Sequence, residues 1–299
     1  MSLQNAIQQV SVPAPAKVNL YLAVLGKRKD DYHDIVSVLA KLNLYDIVTV
    51  EQYGEENFLS CDCLSSPSLK SVRNLAEDAV MIWRKFTGEK AGIRIVINKK
   101  VPLEAGLGGG SSDAVATLLG LNAMMKVPLS QEDLIHIAAQ IGSDCPSFLL
   151  SGLCVATGRG EDIRTATSAR IREIKGRNLL LFKPPVGFST QTVYEDLAKK
   201  KKYSQRNLVH DHLNAWETGE IMNEQLLSND LEAPVFLKHP YIPELFRILV
   251  DKFNLQPMLS GSGSCCFCLA SENTSWDEII AVIRDAWGEE AFVHSACFI

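Results

Sequence analysis

Pro102-Leu103-Glu104-Ala105-Gly106-Leu107-Gly108-Gly109-Gly110-Ser111-Ser112 is the stretch on which the reading of this chain turns. Its four glycines let the backbone adopt positive φ and approach a ligand closely. The residues that follow, Ala114 to Met125, are almost wholly apolar, which predicts a buried helix starting near Ser111 or Ser112. The unpaired N–H groups and positive dipole end of such a helix point back at the glycines, and partial desolvation strengthens their pull on negative charge. Loop and helix together therefore predict an anion site, to which Ser111 and Ser112 add hydroxyls for phosphate oxygen or Mg²⁺. A Walker loop is excluded, because no lysine lies between Lys100 and Lys126. A dinucleotide fingerprint needs glycine where Ser111 stands, and a protein-kinase glycine loop would precede a strand.

Upstream, Ala16 to Leu25 alternates and predicts a strand, a charged turn covers Lys27 to Asp31, and strands follow over Ile35 to Leu44 and Ile47 to Glu51. Asn74 to Phe86 has helical apolar spacing, and Ile93, Ile95 and Ile97 alternate as a strand. Downstream, Ser130 and Asp133 form a capping pair for a helix to Ile141, with Gly142 at its C-terminal turn and Asp144 just beyond. Strands are predicted over Phe148 to Leu150 and Leu153 to Thr157. The polar stretch Arg159 to Arg177 is the expected domain junction. Beyond it come a strand at Leu179 to Lys183, helices at Thr190 to Lys200, Leu208 to Trp216 and Ile242 to Phe253, and a strand at Cys265 to Ala270. A helix at Trp276 to Trp287 and a strand at Ala291 to His294 close a βαβ-like pattern.

The 299 residues, 46% hydrophobic and 22% charged, fit two ordinary globular domains. A net charge of −5 gives no electrostatic footprint for nucleic acid or anionic membrane, so an anionic ligand must be held by local groups. Eight cysteines are scattered through a chain too long to need disulfide staples and are read as reduced; the lone Cys265-x-x-Cys268 has no second pair to complete a zinc site. Met1 to Val10 carries no positive charge, and no apolar run approaches the roughly 18 residues of a membrane span, so a cytoplasmic protein is expected.

Several segments carry a resemblance. The glycine-rich stretch, together with Pro15-Ala16-Lys17-Val18-Asn19-Leu20, Tyr32-His33, Gly142-Ser143-Asp144-Cys145-Pro146 and Ser260-Gly261-Ser262-Gly263-Ser264, resembles the GHMP kinase superfamily, in that family's order along most of the chain. The glycine loop marks the superfamily; Pro-Ala-Lys-x-Asn-Leu with the Tyr-His pair points to the branch acting on a cytidine diphosphate alcohol. The resemblance implies an α+β two-domain GHMP kinase fold, with a ribosomal-S5-like N-terminal ATP-binding domain over residues 1–167 and a ferredoxin-like C-terminal domain over 168–299. It implies transfer of the γ-phosphoryl group of ATP, with Mg²⁺, to the 2-hydroxyl of 4-diphosphocytidyl-2-C-methyl-D-erythritol in the non-mevalonate isoprenoid route. By motif, Lys17 and Asp144 act on the acceptor hydroxyl. Pro102 to Ser112 with Asn74 and Leu75 serve ATP. Asn19, Tyr32, His33, Tyr194, Ser260, Gly261, Ser262 and Gly263 serve the substrate, and Ser111 or Ser112 is the candidate for Mg²⁺.

The chemistry agrees on its own terms, since phosphoryl transfer asks mainly for positioning and charge stabilisation. An Asp can orient or accept the hydroxyl proton, and a Lys can hold that Asp ionised. The two functional groups are therefore expected within hydrogen-bond or one-water reach. Taken singly, a lysine on a strand is commonly a solvated side chain and an aspartate after a helix a turn residue. Two other readings stand beside this one. A mevalonate- or homoserine-type kinase is opposed by Tyr32 and His33; a nucleotide sensor or RNA-binding protein is opposed by Lys17, Asp144 and the acidic charge. Asp31 replaces the family's glycine before Tyr-His, and Ser143 and Cys145 replace its usual Ala and Val. His210 and His212 lie in a helical pattern without further ligands, and Lys199 to Lys202 reads as a solvated helix end.

Overall fold

Strand β1 (Gln9–Lys27) and strand β2 (His33–Tyr53) are the two long elements of the computed structural model, which describes residues 8–64, 74–126, 128–270 and 275–299. The turn between them holds Asp31 at φ 65. β2 is one strand where the sequence predicts two. No glycine or proline interrupts it, and inward-facing positions continue through Leu42, Leu44, Asp46 and Val48, so a buried aspartate keeps the register that a break at that point would end.

The chain packs as two units. One comprises residues up to Ala16, Leu44–Val101 and Gly108–Leu149; the other comprises Lys17–Asn43, Pro102–Leu107 and Leu150–Ile299. β1 and β2 thus contribute one stretch to each.

In the first unit, β4 (Gly92–Asn98) pairs antiparallel with β2, Ile47 opposite Asn98, and β3 (Leu59–Cys63) lies parallel to β4. Helix α1 (Leu75–Thr87) is capped by Asn74, whose side chain accepts from Ala76 N, and ends at Gly88 in the left-handed region. Helix α2 (Gly109–Met124) is buried on nearly every side. It lies close against β2 because residue 120 is glycine: a Cβ there would sit 2.7 Å from Val50 Cγ2. Ala114, Val115, Leu118 and Leu121 of α2 join Val48, Val50, Ile95 and Trp83 in one core. Helix α3 (Gln131–Ile141) opens on the predicted Ser130–Asp133 capping box. The strand predicted at Phe148 to Leu150 is absent. Cys145–Leu149 forms a 3-10 turn instead, because Pro146 has no N–H for a ladder, the Asp144 carbonyl accepts from Ser147, and Phe148 folds into the core.

In the second unit, β5 (Leu153–Gly158) pairs antiparallel with β2, Ile35 opposite Gly158, and with β6 (Asp162–Thr165). The expected junction, residues 159 to 177, holds β6 and α4 (Ser168–Ile174), the helix capped by Thr167. Beyond β7 (Asn178–Lys183) come α5 (Thr190–Lys200), α6 (Arg206–Thr218), α7 (Asn223–Leu226) and β8 (Ser228–Asn229), which runs parallel to β1. Then follow α8 (Glu232–Lys238), α9 (Tyr241–Phe253), β9 (Met258–Leu259), β10 (Cys266–Leu269), α10 (Trp276–Trp287) and β11 (Phe292–Cys297). A four-stranded sheet has the order β11-β7-β10-β9. β10 and β11 are both antiparallel to β7 and hence parallel to each other, so β10-α10-β11 is the expected βαβ unit with β7 inserted between its strands. Leu22, Val24 and Ile35 pack with Leu180, Phe182 and Leu249 in this unit's core.

Candidate active site

The glycine-rich stretch divides at Leu107. Pro102–Leu107 belongs to the second unit and is tied down: Ser264 N donates to Glu104 O, Cys265 N to Ala105 O, and the Ser260 hydroxyl to Gly106 O. Gly106 stands at φ 70, and a Cβ there would meet Ser260 O at 2.0 Å. Leu103 faces solvent.

From Gly108 onward the stretch belongs to the first unit. Gly108, at φ 70, is the N-cap, and α2 begins at Gly109 rather than at the predicted Ser111 or Ser112. A left-handed glycine makes the entry into the helix, so no hydroxyl cap is needed. The amides of Gly109, Gly110 and Ser111 find no acceptor among the described residues, which makes this helix start a set of donors for an anion. Leu75 lies beside Gly110, its Cδ1 3.8 Å from where a Cβ would be, so α1 brings Asn74 and Leu75 to the same place. Ser111 hydrogen-bonds the Cys145 thiol, and burial pushes that thiol up to about 12. The Ser112 hydroxyl is buried and finds no hydrogen-bond partner among the described residues. Half-buried Asp144 stands two residues after Gly142, the end of α3.

Below this helix start lies a group that no sequence motif marks. The Lys99 ammonium sits 2.5 Å from Asp46 and 2.8 Å from Asp113, all three buried. Asp46 also accepts from the backbone N–H groups of Lys100 and Val101. Burial opposes the charge on Lys99, but Asp113 and Asp46 outweigh it and hold the ammonium above its ordinary value. Burial, with Asp46 adding to it, pushes the Asp113 carboxyl up to about 7 against the pull of Lys99. A Cβ on Gly109 would come within 3.2 Å of Lys99 Nζ, so the ion triad and the glycine fit together. The one signal for the triad in the sequence is Asp113 itself, a charge in an apolar helix that must find a buried partner.

The second unit gathers the other candidates. Lys17 and Asn19 share one face of β1, as two-residue spacing requires. Buried Lys17 Nζ donates to Asn19 Oδ1 at 2.6 Å and to Gly106 O at 2.9 Å, and Asn19 Nδ2 donates to Ser37. Ser260 to Cys265 links β9 to β10. Gly261 lies against Lys17, since its Cβ would be 3.4 Å from Nζ. The Ser262 hydroxyl is 2.8 Å from that of Thr190, the first residue of α5. One turn along that helix, Tyr194 places its ring 5.0 Å from His33, with Tyr203 at 6.2 Å. His33 is buried, its Nε2 has no hydrogen-bond partner among the described residues, and burial lowers its basicity. Tyr32 is 52% exposed, and the Arg159 guanidinium lies over its ring at 4.9 Å, held by Glu161. Arg159 is a second residue that sequence reasoning misses, since it falls within no motif.

The remaining signals are plain. All eight cysteines are free thiols, and burial pushes Cys265 and Cys268 up to about 12. His210 and His212 lie on α6, and no group of three metal-ligating side chains is found among the described residues. Among those residues no helix is long and apolar enough to cross a membrane.

Residues 74–152 match the GHMP kinases N terminal domain family, and residues 213–289 match GHMP kinases C terminal. A Thermotoga petrophila protein named 4-diphosphocytidyl-2-C-methyl-D-erythritol kinase is 37% identical over 255 residues, covering 85% of this chain and 89% of its own length. One of the same name from Gloeobacter violaceus is 36% identical, covering 96% of this chain and 94% of its own. The chain belongs to the 4-diphosphocytidyl-2-C-methyl-D-erythritol kinase family of GHMP kinases. It is a small-molecule kinase of α+β fold, and ATP is the nucleotide such kinases use. A crystal structure of 4-(cytidine 5'-diphospho)-2C-methyl-D-erythritol kinase aligns with a TM-score of 0.71 at 29% identity, covering 96% of this chain and 99% of that one. Homoserine kinase from Cytophaga hutchinsonii aligns at 0.74 but is 16% identical, so that likeness concerns the fold alone.

Proposed function

We propose that this kinase transfers the γ-phosphoryl group of ATP to the 2-hydroxyl of 4-diphosphocytidyl-2-C-methyl-D-erythritol, giving the 2-phosphate and ADP, in the non-mevalonate isoprenoid route in the cytoplasm. The observation that carries this reading is the grouping, within one unit, of Lys17 and Asn19 against Gly261 with His33 beside Tyr194 on the helix that Ser262 touches. Tyr32, His33 and Tyr194 take the cytosine, stacking contributing about 1–3 kcal/mol per base. Ser260 to Gly263 takes the diphosphate, and Asn19 orients Lys17. The amides at the start of α2 take the ATP phosphates, with Asn74 and Leu75 toward the nucleoside. Asp144 accepts or orients the proton of the acceptor hydroxyl, and Lys17 offsets charge on the moving phosphoryl group.

The helix start suits Mg²⁺ that arrives with ATP, since this ion is commonly held by one or two protein oxygens plus phosphates and water. Ser111 or Ser112 would supply the oxygen, and the Ser112 hydroxyl, buried and without a partner among the described residues, fits that role. What it would supply there is neutralisation of phosphate charge. The division into an ATP-binding domain over 1–167 and a C-terminal domain over 168–299 is supported by the two family matches, which fall on either side of it.

The test is a coupled ADP-release assay with Mg·ATP and a panel of alcohols: the cytidine diphosphate methylerythritol, its nucleotide-free phosphate, mevalonate and homoserine. Turnover with the first alone is expected, falling about 10²–10⁴-fold in Asp144→Asn. Turnover with a nucleotide-free alcohol would overturn the cytidine assignment.

A further inference from the structure

In the loop from Ser260 to Cys265 four backbone donors are engaged, two within the loop and two with Glu104 and Ala105. Ser260 N donates to Cys265 O, Gly263 N to Ser260 O, Ser264 N to Glu104 O and Cys265 N to Ala105 O. The amides of Gly261 and Ser262 find no acceptor among the described residues. Their directions are nonetheless fixed. In a trans peptide the C=O and N–H point opposite ways. Gly263 N holds the Ser260 carbonyl, which turns the Gly261 N–H away from it. The Gly261 carbonyl is held by Asn229, which turns the Ser262 N–H away in the same manner.

Asn229, at the end of β8, is buried and fully committed. Its Nδ2 donates to both Leu259 O and Gly261 O at 2.8 Å, and its Oδ1 accepts from Leu231 N at 2.9 Å. One amide thus spans the stem and the tip of the loop. Gly261 at the tip stands at φ 55 against Lys17 Nζ, so an anion seated on these two N–H groups would lie beside an ammonium. We infer that Asn229 is a positioning residue that turns the Gly261 and Ser262 amides outward as a two-donor cradle for a phosphate group of a nucleoside diphosphate acceptor. The inference rests on the proposed function, which gives the loop a diphosphate to hold.

The test is calorimetric titration of the full chain with CDP and with cytidine, ADP being present at saturation to occupy the ATP side. The wild type should bind CDP at least about tenfold more tightly than cytidine. Asn229→Asp keeps the shape and the acceptor for Leu231 but removes both donors. It should lose the preference for CDP while its affinity for cytidine stays, a split that general destabilisation does not produce. A folded Asn229→Asp protein that retains the preference overturns the inference. Should that variant not fold, amide spectra of the wild type decide: Gly261 and Ser262 should shift with CDP and not with cytidine, and no shift there overturns the inference while CDP binding leaves the functional reading standing. A wild type that binds neither ligand overturns both.

Discussion

Asp31 sits at φ 65, where a side chain is strained and where the family resemblance calls for glycine. The chain tolerates it with local partners: Asp31 pairs with Lys27 at 2.8 Å, and the neighbouring Asp30 accepts from Tyr32 N and Arg28. Asp31→Gly is expected to raise stability by up to about 1 kcal/mol in urea unfolding, with turnover unchanged, because it removes strain without touching Tyr32 or His33. Lys17 is the opposite case, a buried ammonium whose acceptors, Asn19 Oδ1 and Gly106 O, lie at the proposed site. Lys17→Met should lower kcat by about 10²-fold or more, as loss of a fixed positive group beside a reacting phosphate does, and steady-state kinetics would show it. The motif makes Lys17 legible. The Lys99 triad is not, because nothing local in the sequence marks Asp46, Lys99 and Asp113 as neighbours.

At the level of elements, one glycine-rich run serves two purposes. The segment up to Leu107 supports another loop, and the segment from Gly108 opens a helix whose first amides find no acceptor among the described residues. Gly106→Ala tests the supporting role, because it demands left-handed backbone from alanine and drives a Cβ into Ser260 O. A loss of at least about 2 kcal/mol is expected in thermal or urea unfolding. The anion site is legible in the sequence because glycine content and a following apolar helix are local signals. The division at Leu107 is not, since it depends on hydrogen bonds from Ser264 and Cys265, residues distant in the chain. The 3-10 turn at Cys145–Leu149 escapes for a related reason: an apolar run alone does not separate a strand from a packed turn, and Pro146 is the residue that decides it.

For the whole molecule, the α+β class follows from local periodicity, while the insertion of β7 between β10 and β11 and the parallel pairing of β8 with β1 are non-local and leave no trace in spacing. Two buried carboxyls shape the response of the whole protein to pH. Burial pushes Asp113 and Glu232 up to about 7 from ordinary values of 3.8 and 4.5. The fold prefers their protonated forms, so neither costs stability below about pH 4; the cost grows as pH rises toward about 7 and is complete above it. The thermal midpoint should therefore fall between pH 5 and pH 8, and Glu232→Gln should flatten part of that decline. The threading of β1 and β2 through both units also dictates a schedule for synthesis. Leu22, Val24 and Ile35 leave the ribosome early, yet their core partners run from Leu180 to Ala291. At ~5–20 residues per second, those side chains wait on the order of ten seconds to a minute for their neighbours, an interval in which a nascent β-rich segment is open to chaperones and to mispairing.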